Sequence, residues 1–216
     1  MLKHKALTGA WRSVIPNMYR LFSEKCGTEQ VGLKRFKNWT ANASLKVAES
    51  LHDKDSEQYT DCMNKFKGDS LEILAEIFFK LSGAINPTAA HIRNYEPCNS
   101  SEDFGVDGTG LNANNDKVAV QVKYRGNPAN PITYHDIART FADGTVNYHL
   151  NLTKPHTILL FTTSNDITIP CKKFFQQDTR ILEVLNYSDI DYFIRNNKGF
   201  WVEAWNEVQQ TLRGQS

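Results

Sequence analysis

The sequence predicts an α/β fold, a central mixed β-sheet flanked by helices, with a helical region ahead of it. Three observations carry that prediction. Residues 67–82 (KGDSLEILAEIFFKLS) repeat apolar side chains at helical spacing. Residues 118–124 alternate Val118, Val120 and Val122 with Ala119, Gln121 and Lys123, the two-residue period of a strand. Residues 157–163 (TILLFTT) form a short, continuous apolar run of the kind a strand buried on both faces requires. At 216 residues, 40% hydrophobic and 23% charged, the chain is long enough for one sizeable core.

Each element follows in order. Residues 1–66 read as a helical N-terminal region: Trp11, Ile15, Met18 and Leu21–Phe22 recur at helical spacing. Phe36, Trp39, Leu45, Val47 and Leu51 offer further anchors, and Gly27 and Gly32 mark breaks. Residues 67–216 read as the α/β core. Its first helix would be capped by Asp69 or Ser70 and would carry Glu72 in its first turn, where the helix dipole favours negative charge. Leu71, Leu74, Ala75, Phe78 and Leu81 make one apolar stripe, Ile73 and Ile77 a second, and Gly83 ends the helix.

A loop rich in Pro, Asn and Ser leads to EDFGVDGTG at 102–110, whose glycines read as a tight turn. Asn112–Asp116 reads as a hairpin turn, pairing Phe104–Thr109 with Val118–Tyr124. One face of the second strand is core, so Gln121 and Lys123 share the other. Residues 132–143 suggest a helix and Ile181–Leu185 a last strand. A closing helix places Trp201, Trp205, Val208 and Leu212 on one face.

Charge is unevenly spread. The first fifty residues hold nine Lys/Arg against three Asp/Glu, a net +6 in a chain whose total is +1. A basic arm beside an acidic body suits a protein that grips a polyanion with one part and a cation with another; a solvated basic helix face gives the same pattern. Lys34, Arg35 and Lys37, interleaved with Phe36 and Trp39, are the candidate contacts to such a polyanion. The four cysteines, Cys26, Cys62, Cys98 and Cys171, are too scattered for a structural zinc site and read as free thiols. No apolar run approaches the ~20 residues that span a bilayer, and Met1–Lys5 is no signal core, so an intracellular, cytoplasmic protein (or one of a phage host's cytoplasm) is expected.

One constellation fits phosphodiester hydrolysis. That reaction needs a deprotonated water, stabilisation of the pentacovalent phosphate and a neutralised leaving oxygen, all within the reach of one or two divalent cations. Magnesium takes hard oxygen ligands and keeps several waters. Asp107 on the first strand of the hairpin and Gln121 on the second offer such oxygens, with Lys123 to position a water. Glu72, or Glu76 one turn later, would add a helix carboxylate. Glu102 and Asp103 could also reach a metal, or be surface charges. Arg125 follows as a phosphate contact, since its guanidinium fork matches phosphate oxygens. His135 could act near the phosphate or help to cap a helix.

The series GDSLE, FGVDG and VQVKYR resembles the PD-(D/E)xK nuclease superfamily in its Gln-x-Lys variant, and within it the Mrr-type restriction endonuclease domain. The matching positions are Leu71–Glu72, Gly105–Val106–Asp107 and Gln121–Val122–Lys123, with TILLFTTS at 157–164 similar to a later core strand. The resemblance covers roughly residues 67–185. It implies a restriction-endonuclease-like core and a Mg²⁺- or Mn²⁺-dependent DNA endonuclease. In that reading Asp107, Gln121, the Val122 carbonyl and Glu72 or Glu76 hold the metal, and Lys123 positions the nucleophile. It also implies DNA as partner and a homodimer that cuts both strands. Restriction, homing, a phage-type role and branched-DNA resolution all use this fold. The rivals are a DNA-binding module of the same fold that has lost catalysis, and an assembly protein with a chance match.

Overall fold

The computed structural model describes residues 1–9, 11–26, 31–86, 90–99, 105–176 and 180–214. A 3₁₀ turn at Lys5–Leu7 precedes helices α1 (Val14–Cys26), α2 (Leu33–Leu51) and α3 (Glu57–Ile85). Strands β1 (Arg93–Pro97), β2 (Gly108–Leu111) and β3 (Lys117–Lys123) follow, then α4 (Tyr134–Tyr148), β4 (Ile158–Thr162), α5 (Ile169–Gln176) and β5 (Leu182–Leu185). Helices α6 (Tyr187–Asn196) and α7 (Phe200–Arg213) close the chain. Backbone contacts divide it into two units, Met1–Leu74 with Ile190–Ser216, and Ala75–Asp189. The expected 66/67 boundary falls inside α3. No described helix is long and apolar enough to cross a membrane.

The first unit is a helical assembly with an aromatic centre. Phe22 of α1, Phe36 of α2 and Trp201 of α7 meet, with Phe36 stacked on Trp201 at 5.6 Å and Phe22 at 4.4 Å from it. The Trp201 indole N–H donates to the Val31 carbonyl at 2.7 Å, so its polar edge is satisfied on burial. Trp11 packs edge-on against Phe66 and donates to Asp69 at 2.5 Å. The buried stripe of α2 is Leu33, Phe36, Lys37, Thr40, Ser44, Val47 and Ala48. Leu45 and Leu51, expected as anchors, are exposed, because this stripe seats small polar side chains where an apolar-periodicity reading looks for leucine. On α7 the buried face is Phe200, Trp201, Ala204, Val208 and Thr211, leaving Trp205 and Leu212 only half-buried.

Helix α3 corrects a second expectation. It begins at Glu57, a full ten residues before Lys67, so Asp69 and Ser70 are interior residues and Glu72 is far from the first turn. The polar run around Lys65–Ser70 resembles a cap in sequence, but here those groups are absorbed: Asp69 takes the Trp11 N–H, and Ser70 donates to the Phe66 carbonyl at 2.7 Å. Gly83 lies within the last turn, two residues before the helix ends.

The second unit holds a mixed five-stranded sheet in the order β1-β2-β3-β4-β5. The β1–β2 and β2–β3 pairs are antiparallel, β3–β4 and β4–β5 parallel. Helix α4 makes the crossover between β3 and β4, and α5 that between β4 and β5, as parallel neighbours require. Every residue of β4 is buried, as its continuous apolar run predicts. Ile158 and Leu160 face a cluster with Ala119, Ile137, Cys171 and Phe175, so α4 and α5 cover that face. Phe161 faces the other way, 5.3 Å from Phe78 and 5.6 Å from Phe79 of α3.

Strand β1 falls in the stretch expected to be loop. Its apolar content is too low for a periodicity signal; only every second residue is even half-buried, as at the edge of a sheet. The cysteines are free thiols, with Cys171 pushed up to about 11, chiefly by burial and then by the nearby Asp136.

Candidate active site

Asp107 lies one residue ahead of β2, not within it, yet its backbone continues the pairing: its N–H donates to the Val120 carbonyl at 2.9 Å, and its carbonyl accepts from Cys98 N–H at 2.9 Å. Both neighbours therefore fix the carboxylate's backbone. Antiparallel register sets it beside the C-terminal end of β3, the end of a parallel pair where open α/β sheets place their ligand sites.

There Asp107 Oδ2 accepts two hydrogen bonds, from the Val122 backbone N–H at 2.6 Å and from Gln121 Nε2. Gln121 is 3% exposed and shares with Ala119 the face that α4 covers. Its Oε1 meets the hydroxyl of Thr140 on α4, a fully buried residue that also reaches the Gly105 carbonyl. Gly105 has φ +67°, and a Cβ there would come within 2.9 Å of Arg139, so a glycine is needed to turn this carbonyl towards α4. Gly108 and Gly110 lie in β2, where neighbouring side chains leave no room for a Cβ: Tyr95 of β1 packs on the first and Ile92, just ahead of β1, on the second.

Lys123 ends β3, half-exposed, two residues beyond Gln121 and so on the same side of the strand. Its carbonyl accepts from Thr162 Oγ1 at 2.8 Å and Thr163 N–H at 3.2 Å, which ties the strand end to β4. Arg125 pairs with Asp136 at 2.6 Å. Burial works to raise the Asp136 pKa, but hydrogen bonds from Arg125 and from the Thr133 N–H and hydroxyl outweigh it and hold this carboxyl below the ordinary range. Thr133 and Asp136 form a reciprocal capping box on α4. The helix cap imagined for His135 is thus made by its neighbours, and His135 is exposed.

The remaining candidates lie elsewhere. Glu72 belongs to the first unit, where its Oε2 lies 2.8 Å from His4 Nε2. His4 Nδ1 accepts from the Ala6 N–H, so the proton of a neutral ring sits on Nε2 and is donated to Glu72. No sequence spacing pointed to His4. Glu76, one turn on, lies in the second unit and is 5% exposed. Glu102 and Asp103 fall outside the described residues. Among the described residues no three His, Cys, Asp or Glu side chains gather as a metal-ligand group. Where Asp107 meets β3 the oxygen donors are the Asp107 carboxylate, the Gln121 amide and the Val122 carbonyl, a hard set that fits magnesium with water completing its shell.

In the basic arm, Lys34 and Arg35 are exposed on the first turn of α2, beside a groove that also includes Arg195. Lys37 does not join them. It is 6% exposed, and burial pushes its pKa down to about 8 from 10.5. The fold favours the neutral amine, so Lys37 costs stability below about pH 8, and that cost fades as pH rises towards 10.5. Lys37→Met is therefore expected to stabilise the protein at pH 7 by about 1–3 kcal/mol. The gain should shrink in denaturant melts repeated towards pH 10; a destabilised Lys37→Met protein at pH 7 contradicts the assignment.

No protein-family model matches this chain, and no curated protein does. Among solved structures it is similar to the DNA modification-dependent restriction endonuclease AspBHI, at 14% identity and a TM-score of 0.44, over 86% of this chain and 43% of that one. It is also similar to a repair endonuclease from Pyrococcus abyssi, at 12% identity and a TM-score of 0.30, over 50% of this chain and 44% of that one. The chain spans less than half the length of either.

Proposed function

We propose that this chain is a Mg²⁺- or Mn²⁺-dependent DNA endonuclease of the PD-(D/E)xK kind. The observation that carries the reading is Asp107 set against Gln121 across adjacent strands, with Lys123 next along the same face of β3. A bound cation would supply Lewis acidity at the phosphate and a lowered water pKa. Asp107, Gln121 Oε1 and the Val122 carbonyl would hold it, with Glu76 of the same unit adding the helix carboxylate. The Val122 N–H fixes the Asp107 carboxylate against rotation, and Gln121 bridges Asp107 and Thr140. Lys123 orients the attacking water with its ammonium. Lys34 and Arg35 supply affinity through phosphates, with the salt dependence that follows, and Asp136 orients Arg125 for the same purpose. A homodimer would present two such sites to the two strands.

The test is incubation with supercoiled plasmid, linear duplex, single strands and a four-way junction, each with Mg²⁺, Mn²⁺ or EDTA. Metal-dependent cutting is expected, with Lys123→Ala losing it while DNA binding persists. A Lys123→Ala protein that cuts like the parent overturns the reading. One observation favours a second reading, a DNA-binding module without catalysis: Gln121 turns its Nε2 towards Asp107. That reading predicts binding without cutting in every condition.

A further inference from the structure

Thr140 is buried at 0% exposure on α4, and nothing in the motif series points to it. Its Oγ1 is within hydrogen-bond reach of two acceptors, Gly105 O and Gln121 Oε1. A hydroxyl carries one proton and two lone pairs, so it serves one of these acceptors at a time as donor. It can also accept. With its proton on the Gly105 carbonyl, Thr140 offers a lone pair towards Gln121, and the group that satisfies a lone pair is an N–H.

The Gln121 amide thus has two hydrogen-bonded settings on the same pivot. In the one observed, Nε2 donates to Asp107 Oδ2 and Oε1 faces Thr140. Turned over, Nε2 donates to Thr140, Thr140 donates to Gly105, and Oε1 faces Asp107 Oδ2. Two oxygens facing each other in a buried site repel unless a cation lies with them. The turned setting is the one that offers Gln121 as an oxygen ligand, and it resolves the competition for the Thr140 proton.

We propose that Thr140 is a positioning residue that lets the Gln121 amide reverse, so that Oε1 joins Asp107 as a ligand for a divalent cation. The inference rests on the metal-dependent reading above. Valine at 140 keeps the shape but has neither proton nor lone pair, so a reversed Nε2 would be left buried without a partner. Serine keeps both.

The experiment is calorimetric titration of Mn²⁺ and Mg²⁺ into the full chain and its Thr140→Val, Thr140→Ser, Gln121→Glu and Thr140→Val/Gln121→Glu variants, each checked by thermal melting without metal. Thr140→Val is expected to weaken Mn²⁺ binding roughly 10–100-fold, as losing a ligand's supporting partner does. Thr140→Ser should restore it. In the Gln121→Glu background both side-chain termini are oxygen, no reversal is needed, and Thr140→Val should change affinity by less than about threefold. Metal should also shift the Gln121 side-chain amide resonances in wild type and not in folded Thr140→Val. A folded Thr140→Val protein that binds Mn²⁺ like wild type overturns the role of Thr140 and leaves the nuclease reading standing. A wild-type chain that binds neither metal overturns the metal-dependent reading itself.

Discussion

On the proposed nuclease reading, Asp107→Asn is expected to lower metal-dependent cleavage by roughly 10²–10³-fold or more, because it removes the carboxylate beside Gln121 from a site whose proposed work is charge stabilisation. Asparagine keeps the shape, and its amide oxygen can still accept the Val122 N–H that Asp107 holds at 2.6 Å. The fold should therefore survive, with an unfolding midpoint close to that of wild type. Alanine is the poorer test: it strands the N–H of Val122, itself only 7% exposed, and adds about 1–3 kcal/mol of desolvation cost. The measurement is plasmid nicking at saturating Mn²⁺ alongside metal titration. Full activity in Asp107→Asn would remove this carboxylate from the mechanism.

The largest expected effect on stability belongs to Phe161→Ala. Phe161 is 0% exposed in β4, which lies between β3 and β5, and its ring meets Phe78 and Phe79 of α3. Removing it opens a cavity at the seam between α3 and the sheet, where neighbours on three elements cannot all collapse inward. A loss of about 3–5 kcal/mol follows, a large part of a typical domain's 5–15 kcal/mol. Urea unfolding measures it, with exposed Leu51→Ala as a control that should stay within about 0.5 kcal/mol. A loss in Phe161→Ala below about 1 kcal/mol would mean that this aromatic seam does not hold α3 to the sheet.

Much of the sheet was legible because its strands declare themselves locally. The Asn112–Asp116 turn is made by Asn112 itself, whose Oδ1 accepts from the N–H groups of Asn114 and Asp116, both at 2.9 Å. The run at 157–163 needed no partner to be read, since a strand buried on both faces is apolar throughout. The start of α3 was misread because Asp69 and Ser70 are cap residues by type. Only the tertiary partner Trp11 shows that Asp69 is spent inside the helix. Edge strand β1 was missed, and Trp205, expected on the packed face of α7, is only half-buried, for a related reason: amphipathic periodicity reports which residues could be buried, and the neighbouring element decides which are.

The candidate site divides along the same line. By itself the sequence determined the order β2, β3, α4, β4, β5 and α7, the antiparallel pairing that joins β2 to β3, and the residue types Asp107, Gln121 and Lys123, because alternation along a strand and a short turn fix those over a few residues. Tertiary structure decided that α4 would set Thr140 against Gln121, that Lys37 would turn inward while Lys34 and Arg35 stay out, and that His4 would take the Glu72 carboxylate. Each of these joins groups far apart in the chain, and spacing along a sequence carries no information about which distant hydrogen-bonding group will be close enough to answer.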